Sequence, residues 1–210
     1  VDLLIENGSH VNARCPTEMS PLVFAIESDS TCIVKRLLDK GANPNTITNL
    51  GNAIELAIVS PKCQNKEEMI DLLIDYGADV NFADHSGITH LHNACCFNNV
   101  RVVKLLLNKG VEIDARNIYG ITPLNTATTF PSNETTLKMI LLLKLCGDAS
   151  VNEKDNFGST PLHYAAFSNK TETTQLLLEM GCKKDKKDHK GRTAADLAQM
   201  MGYGDIVQLL

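Results

Sequence analysis

A leucine-rich run closed by glycine returns six times in this chain at nearly constant spacing, and no other feature restricts its fold so strongly. It reads LLIENGSHVN, LLDKGANPN, LLIDYGADVN, LLLNKGVEID and LLLEMGCKKD, with one irregular copy at Gly147. The glycines are Gly8, Gly41, Gly77, Gly110, Gly147 and Gly181, so the successive gaps are 33, 36, 33, 37 and 34 residues. A second phrase runs in phase with the first: SPLVFAI from Ser20, NAIELAI from Asn52, THLHNAC from Thr89, TPLNTAT from Thr122, TPLHYAA from Thr160 and TAADLAQ from Thr193. Two phrases sharing one period mark an array of stacked units, each burying its apolar face against its neighbours.

The phrases read as starts and stops of helices. Ser or Thr followed by Pro is an N-cap with a first-turn proline whose missing N–H costs nothing there. The later glycine supplies the left-handed residue that ends a helix. Between the two signals the apolar residues keep helical spacing, for example Leu91 and Ala94, then Val102, Val103, Leu105 and Leu106. Each unit is therefore a helix pair, and polar stretches such as residues 84–87 form projecting turns between pairs.

With its T-P-L-H phrase and period of about 33 residues, the chain resembles the ankyrin repeat family over essentially its whole length. The resemblance implies an all-α solenoid of stacked helix-turn-helix units with projecting β-turn fingers, L-shaped in section. Its concave surface would be made of finger tips and first helices. The expected organisation is one domain, residues 1–210: a partial repeat over 1–12, full repeats over about 13–45, 46–81, 82–114, 115–152 and 153–185, and a partial terminal repeat over 186–210. Both ends stop inside a repeat with apolar edges, as expected of a piece of a longer protein. The loops over 58–68 and 128–136 are enlarged, the second finger is expected to be distorted because Gly51 sits one place late, and the helix end near Lys144 is irregular.

Composition narrows the function classes. The formal charge of −5 disfavours binding to nucleic acid, whose affinity comes from cations on phosphates. The basic run KKDKKDHK, residues 183–190, is broken by aspartates and reads as a solvated loop. The greasiest stretch, MILLLKLC at 139–146, falls far short of a membrane span. Seven scattered cysteines, odd in number and including an adjacent pair, point to a reducing compartment and an intracellular protein, cytoplasmic or nuclear.

THLHNACC at 89–96 holds two histidines and two cysteines and invites a zinc reading. The repeat register argues otherwise. His92 is the phrase histidine, which in the family bonds to neighbouring turn backbone, and Cys95 takes the small buried position usually held by alanine. His90 and His92 stand about 200° apart around a helix and do not converge on one ion. No metal and no cofactor are expected. GYGDIV at 202–207 imitates the start of a phosphate loop but occupies an ordinary link between helices. No nucleophile motif occurs, and the chain is read as no enzyme.

The expected site is a protein-binding strip. The resemblance makes the finger residues around the glycine, and those after the paired alanines, variable and outward-facing. Here they include His85, Ile88 and Phe97 in the third repeat, Ile118, Tyr119, Ile121 and Phe130 in the fourth, and Phe157 and Phe167 in the fifth. Phe97, Phe130 and Phe167 are expected at equivalent places after three successive first helices. A solvated face has no reason to collect Phe, Tyr and Ile, whereas a binding surface does. The expected partner is a protein or extended peptide, with neither nucleic acid nor membrane insertion. The alternative is the recruiting arm of a larger enzyme, a ubiquitin-ligase adaptor, or a viral or bacterial effector. The resemblance also makes Asn81, in ADVN, a candidate for asparaginyl hydroxylation.

Overall fold

A computed structural model of the chain describes residues 7–129 and 134–210. Among them are twelve helices and one two-stranded ribbon. The chain divides into two compact units, Val1–Asp84 and His85–Leu210. In the first unit the elements are α1 (Pro21–Glu27), α2 (Thr31–Asp39), β1 (Ile47–Thr48), β2 (Gly51–Asn52), α3 (Ala53–Val59) and α4 (Lys66–Asp75). The second holds α5 (His90–Cys96), α6 (Val100–Asn108), α7 (Pro123–Thr129), α8 (Glu134–Gly147), α9 (Pro161–Phe167), α10 (Thr171–Glu179), α11 (Ala194–Met201) and α12 (Gly204–Leu209). Within each unit, first helices pack on first helices and second on second, giving two layers of an all-α repeat solenoid. No helix among the described residues is long and apolar enough to cross a membrane.

The start signals act as the sequence predicts. Ser20, Asn52, Thr89 and Thr193 each accept a hydrogen bond from the third residue of the helix that follows. First helices end on a left-handed residue that need not be glycine: Asp29, Asn98 and Asn169 have φ of 54°, 52° and 56°. Asn and Asp tolerate that region better than other side chains bearing a Cβ. Small residues at the contacts between first helices, Ala57, Ala94, Ala127, Ala165 and Ala198, are fully buried and let the helices approach closely. Around them Leu22, Ile26, Ile54, Met69 and Leu73 fill the first unit, and Leu91, Leu106, Leu124, Met139 and Ile140 the second. Each such side chain contributes roughly 1.5–3 kcal/mol of burial.

Two recurring side-chain hydrogen-bond patterns help tie one repeat to the next. The turn asparagine grips the following repeat with both ends of its amide. Asn45 donates to the Gly77 carbonyl at 2.9 Å and accepts from the Asp79 N–H at 2.7 Å. Asn12 does the same with Gly41 and Asn43, and Asn152 with Gly181 and Lys183. The phrase histidine makes the second tie. His92 Nδ1 accepts from the Thr89 N–H at 3.2 Å, so the ring proton sits on Nε2, which donates to the Ile121 carbonyl at 2.9 Å. His163 repeats the arrangement with Thr160 and the Arg192 carbonyl, and burial lowers its pKa, keeping the ring neutral.

Three departures from the repeat have physical causes. Gly147 does not supply the left-handed residue expected of it: α8 runs through it, and Asp148 takes that conformation at φ 55°. A Cβ on Gly147 would lie 1.8 Å from Ile113 Cδ1, so its smallness serves packing. The second finger closes as a ribbon, with Ile47 paired to Asn52 and Thr48 to Gly51, because only one step separates its glycine from the helix cap. Its enlarged loop is drawn in by Lys66, whose ammonium donates to the carbonyls of Ala57, Ile58 and Ser60 at 3.0, 2.7 and 2.6 Å, as a cation at a helix C-terminus should. Residues 130–133 of the other enlarged loop lie outside the described residues.

The fourth phrase carries Asn125 where its neighbours carry histidine. Asn125 is fully buried, its backbone N–H is held by Thr122, and its amide nitrogen has no hydrogen-bond partner. The side chain is too short to reach a turn carbonyl as His92 and His163 do. Asn125→His should restore the tie, to the carbonyl of Ser159, the residue corresponding to Ile121 and Arg192. Chemical denaturation should then show a stability gain of about 1 kcal/mol. A loss would mean that the buried space does not admit the imidazole.

Candidate protein-binding face

The fingers of the second unit are built on one pattern. Asn117, Asp155 and Asp188 each open a tight turn, their Oδ1 accepting from the backbone N–H two and four residues on at 2.8–3.0 Å. Such Asx turns hold the tip without any regular sheet. The tips are also stitched across repeats: the Ile118 N–H donates to Ser86, Asn156 to Tyr119 and His189 to Phe157, each at 2.9 Å. Gly120 and Gly158 allow this closeness, since a Cβ on either would run into the next finger at Asn156 or His189.

This backbone ladder spends the polar groups of the tips on one another and leaves their side chains outside. Ile118, Tyr119 and Phe157 are 57%, 52% and 56% exposed. The rings of Tyr119 and Phe157 stack with centroids 6.3 Å apart and planes inclined by 21°. His85 is also exposed, whereas Ile88 and Ile121 are half-buried. Each of those two isoleucines immediately precedes a buried helix cap, Thr89 or Thr122, and is partly covered beside it.

Phe97 and Phe167 are both about half exposed, but they do not share a register. Phe97 is the residue after α5, while Phe167 is the last residue of α9. That single step is about 100° of helix, so the two rings leave their helices in different directions. Phe130 lies outside the described residues. Phe167 borders a groove of about 170 Å³, lined also by Ser159, Tyr164, Arg192 and Leu197. Tyr164 and Arg192 went unnoticed in the sequence, although Tyr164 stands at the variable position inside the T-P-L-H phrase. Tyr164 donates to Asp155 Oδ2 at 2.5 Å, and Arg192 pairs with Asp188 Oδ2 through Nε at 2.8 Å and through Nη2 at 2.6 Å.

Two other surfaces were missed. Phe24 of α1 is 53% exposed at the position corresponding to Tyr164. On the second-helix layer, Leu145 is 76% exposed beside Leu141, Leu142 and Val100, in a groove of about 340 Å³ with Lys104 and Lys138 at its edge. The signal for it was present in MILLLKLC, which is apolar all round and so cannot hide every leucine in one core.

The histidine and cysteine cluster has a structural use. Both ring nitrogens of His92 are committed to the Thr89 cap and the Ile121 carbonyl. Burial pushes the thiol of Cys95 far up, that of Cys63 to about 11 with Asp29 adding to the effect, and that of Cys182 to about 12. These groups stay protonated at neutral pH and are inert as nucleophiles. No group of three or more metal-ligating side chains forms among the described residues. Asn81 is exposed, and its own N–H donates to Asp79 Oδ1 at 3.0 Å.

The comparisons with known proteins agree with this architecture. The family model for ankyrin repeats, in three copies, matches residues 1–84, 57–155 and 132–210. Over 218 residues the chain is 31% identical to the human protein named "Transient receptor potential cation channel subfamily A member 1", covering 100% of this chain and 19% of that protein. It is also 31% identical over 219 residues to the Danio rerio protein named "Putative palmitoyltransferase ZDHHC13", covering 99% of this chain and 31% of that protein. The chain thus spans less than a third of the length of either relative. Family model, period, capping chemistry and two-layer helix packing lead to one assignment: the chain belongs to the ankyrin repeat family.

Proposed function

We infer the role of this chain from its family, whose repeats are generally protein-interaction modules and typically noncatalytic. We propose that this array is a noncatalytic, intracellular binding module that takes a protein or an extended peptide on the finger tips and first helices of its second unit. The observation that carries this reading is the row Ile118, Tyr119 and Phe157, each more than half exposed on fingers whose backbones are already hydrogen-bonded to one another. Such a row is pre-organised: binding orders little that is not ordered already, so most of the burial energy remains as affinity. His85, Ile88, Phe97, Ile121 and Phe167 extend the surface around it, and Phe130 belongs to it by sequence.

A second reading is favoured by the small share of each relative that the chain spans. In it the same face is the recruiting arm of a larger protein, whether an enzyme, a ubiquitin-ligase adaptor or a viral or bacterial effector. The face and its chemistry are common to both readings, which differ in what lies beyond the array.

Tyr119→Ala, Phe157→Ala and Phe167→Ala should each weaken a partner isolated on the intact chain by roughly ten- to a hundredfold. The melting temperature should stay nearly unchanged, because these rings are exposed. Lys104→Ala on α6 should alter neither. A collapse of the melting temperature in the aromatic variants would make the rings part of the fold and remove the site.

Asn81 is further proposed as a substrate of an asparaginyl hydroxylase, on the strength of its exposed turn and its ADVN phrase. The Cβ–H bond would become Cβ–OH. One atom of dioxygen goes to the asparagine and the other to 2-oxoglutarate, which leaves as succinate and carbon dioxide, while the iron of the modifying enzyme returns to its starting state. Incubation with such an enzyme, iron and 2-oxoglutarate should add one oxygen atom by intact mass, lost in Asn81→Ala. An unchanged mass ends the proposal.

A further inference from the structure

The sixth finger differs in charge from the row it continues. Residues 183–190 hold five lysines against two aspartates, in a chain whose formal charge is −5. Asp188 is withdrawn from the surface: it is buried, and its carboxylate accepts from the Lys190 and Arg192 N–H groups and from the Arg192 side chain. Against the cost of burial, those bonds hold its pKa down to about 2. Lys184 is committed to the Leu209 carbonyl at 2.7 Å. Lys183, Lys187 and Lys190 are exposed, and Lys186 is half-buried, with Asp185 the one carboxylate of the run left on the outside.

This basic finger is continuous with the aromatic one. The His189 N–H donates to the Phe157 carbonyl at 2.9 Å, the same rung that joins Asn156 to Tyr119. The Lys154 ammonium reaches across to the Lys187 carbonyl at 2.8 Å. One line of tips therefore runs from apolar Ile118 through the Tyr119–Phe157 stack to His189 and the lysines. The 6.3 Å between the two stacked rings is close to the roughly 6.6–6.8 Å that separates alternate side chains on an extended strand.

We propose that the occupant of this face is an extended peptide segment with apolar side chains at alternate positions followed by a cluster of Asp or Glu, the apolar part lying on Tyr119 and Phe157 and the acidic part on Lys187 and Lys190. This rests on the reading of the finger row as a binding face and adds the chemistry and direction of what it binds. The groove at Phe167, Arg192 and Leu197, which joins α9 to the base of the same sixth finger, is a seat for one side chain of that segment. An anionic bilayer is the competing occupant for lysines beside aromatic rings. A narrow segment is favoured because it meets only the local positive charge, with charges beyond about 8 Å screened at physiological salt, whereas a bilayer confronts the net negative charge of the whole chain.

The test is selection from a displayed library of random peptides about twelve residues long, enough to span about 40 Å when extended. The targets are the whole chain, its Tyr119→Ala/Phe157→Ala variant and its Lys187→Glu/Lys190→Glu variant. The exposed lysines make the last variant safe for folding, which circular dichroism and melting verify. The expected result is enrichment of alternating apolar residues followed by Asp and Glu. Peptides so selected should bind the Lys187→Glu/Lys190→Glu variant about tenfold more weakly, a loss that shrinks as salt is raised.

Apolar enrichment that depends on Tyr119 and Phe157 but carries no acidic preference overturns this proposal and leaves the binding face standing. Enrichment indifferent to Tyr119 and Phe157, or none, overturns both. Lysine-dependent binding to phosphatidylserine vesicles without acidic peptide enrichment assigns the sixth finger to a membrane and overturns the proposal.

Discussion

Among the described residues no first helix exceeds eight residues, about two turns, and an isolated helix of that length does not persist in water. Each exists because a neighbouring repeat covers its apolar side. That dependence on neighbours governs the other features. Alanines line the helix contacts because repeats must approach closely. Polar groups that stacking would strand are satisfied across the repeat boundary: the turn asparagines span it with both ends of an amide, and His92 and His163 span it with a neutral imidazole. The ties are unevenly distributed. The first unit has Val23 and Glu55 where the second has His92 and His163, and its cross-repeat polar ties include the asparagine clamps, Asn65 to Asp29 and Tyr76 to Asp39.

The hydrogen bonding that secures the fingers also exposes their side chains. An Asx turn at the base and a cross-repeat N–H to carbonyl bond at the tip use up the backbone groups of the tips. Nothing in that scheme needs a particular side chain at Ile118, Tyr119 or Phe157. The backbone scheme leaves those side chains to the surface, where the rings of Tyr119 and Phe157 meet each other's faces across the repeat boundary. The charge of the sixth finger follows the same logic, because the turn consumes Asp188 and leaves the lysines around it.

The period, the helix starts and the exposure of Ile118, Tyr119 and Phe157 were legible because each rests on a local rule: a cap, a glycine, a turn residue. Failures came where packing overrode the local rule. Gly147 looked like a helix stop, but it is the last helical residue, Asp148 takes the left-handed conformation, and the glycine is needed for room beside Ile113. Phe97 and Phe167 are a different case: Phe97 stands eight residues after its cap Thr89 and Phe167 seven after Thr160, an offset that the sequence itself contains. The clasp of Lys66 on three carbonyls could not be read at all, since it depends on a loop folding back over the helix it leaves.

The central claim is that the finger row of the second unit, and not the apolar groove of its second-helix layer, meets the partner. Both surfaces carry exposed large apolar side chains, so exposure alone does not choose between them. Hydroxyl-radical footprinting of the chain, free and saturated with a bound peptide, reads side-chain accessibility at each residue and compares the two directly. The account predicts that labelling of Tyr119, Phe157 and Phe167 falls severalfold in the complex while Leu145 and Leu142 keep their free-state rates. Protection of Leu142 and Leu145 with Tyr119 and Phe157 still fully labelled would contradict it.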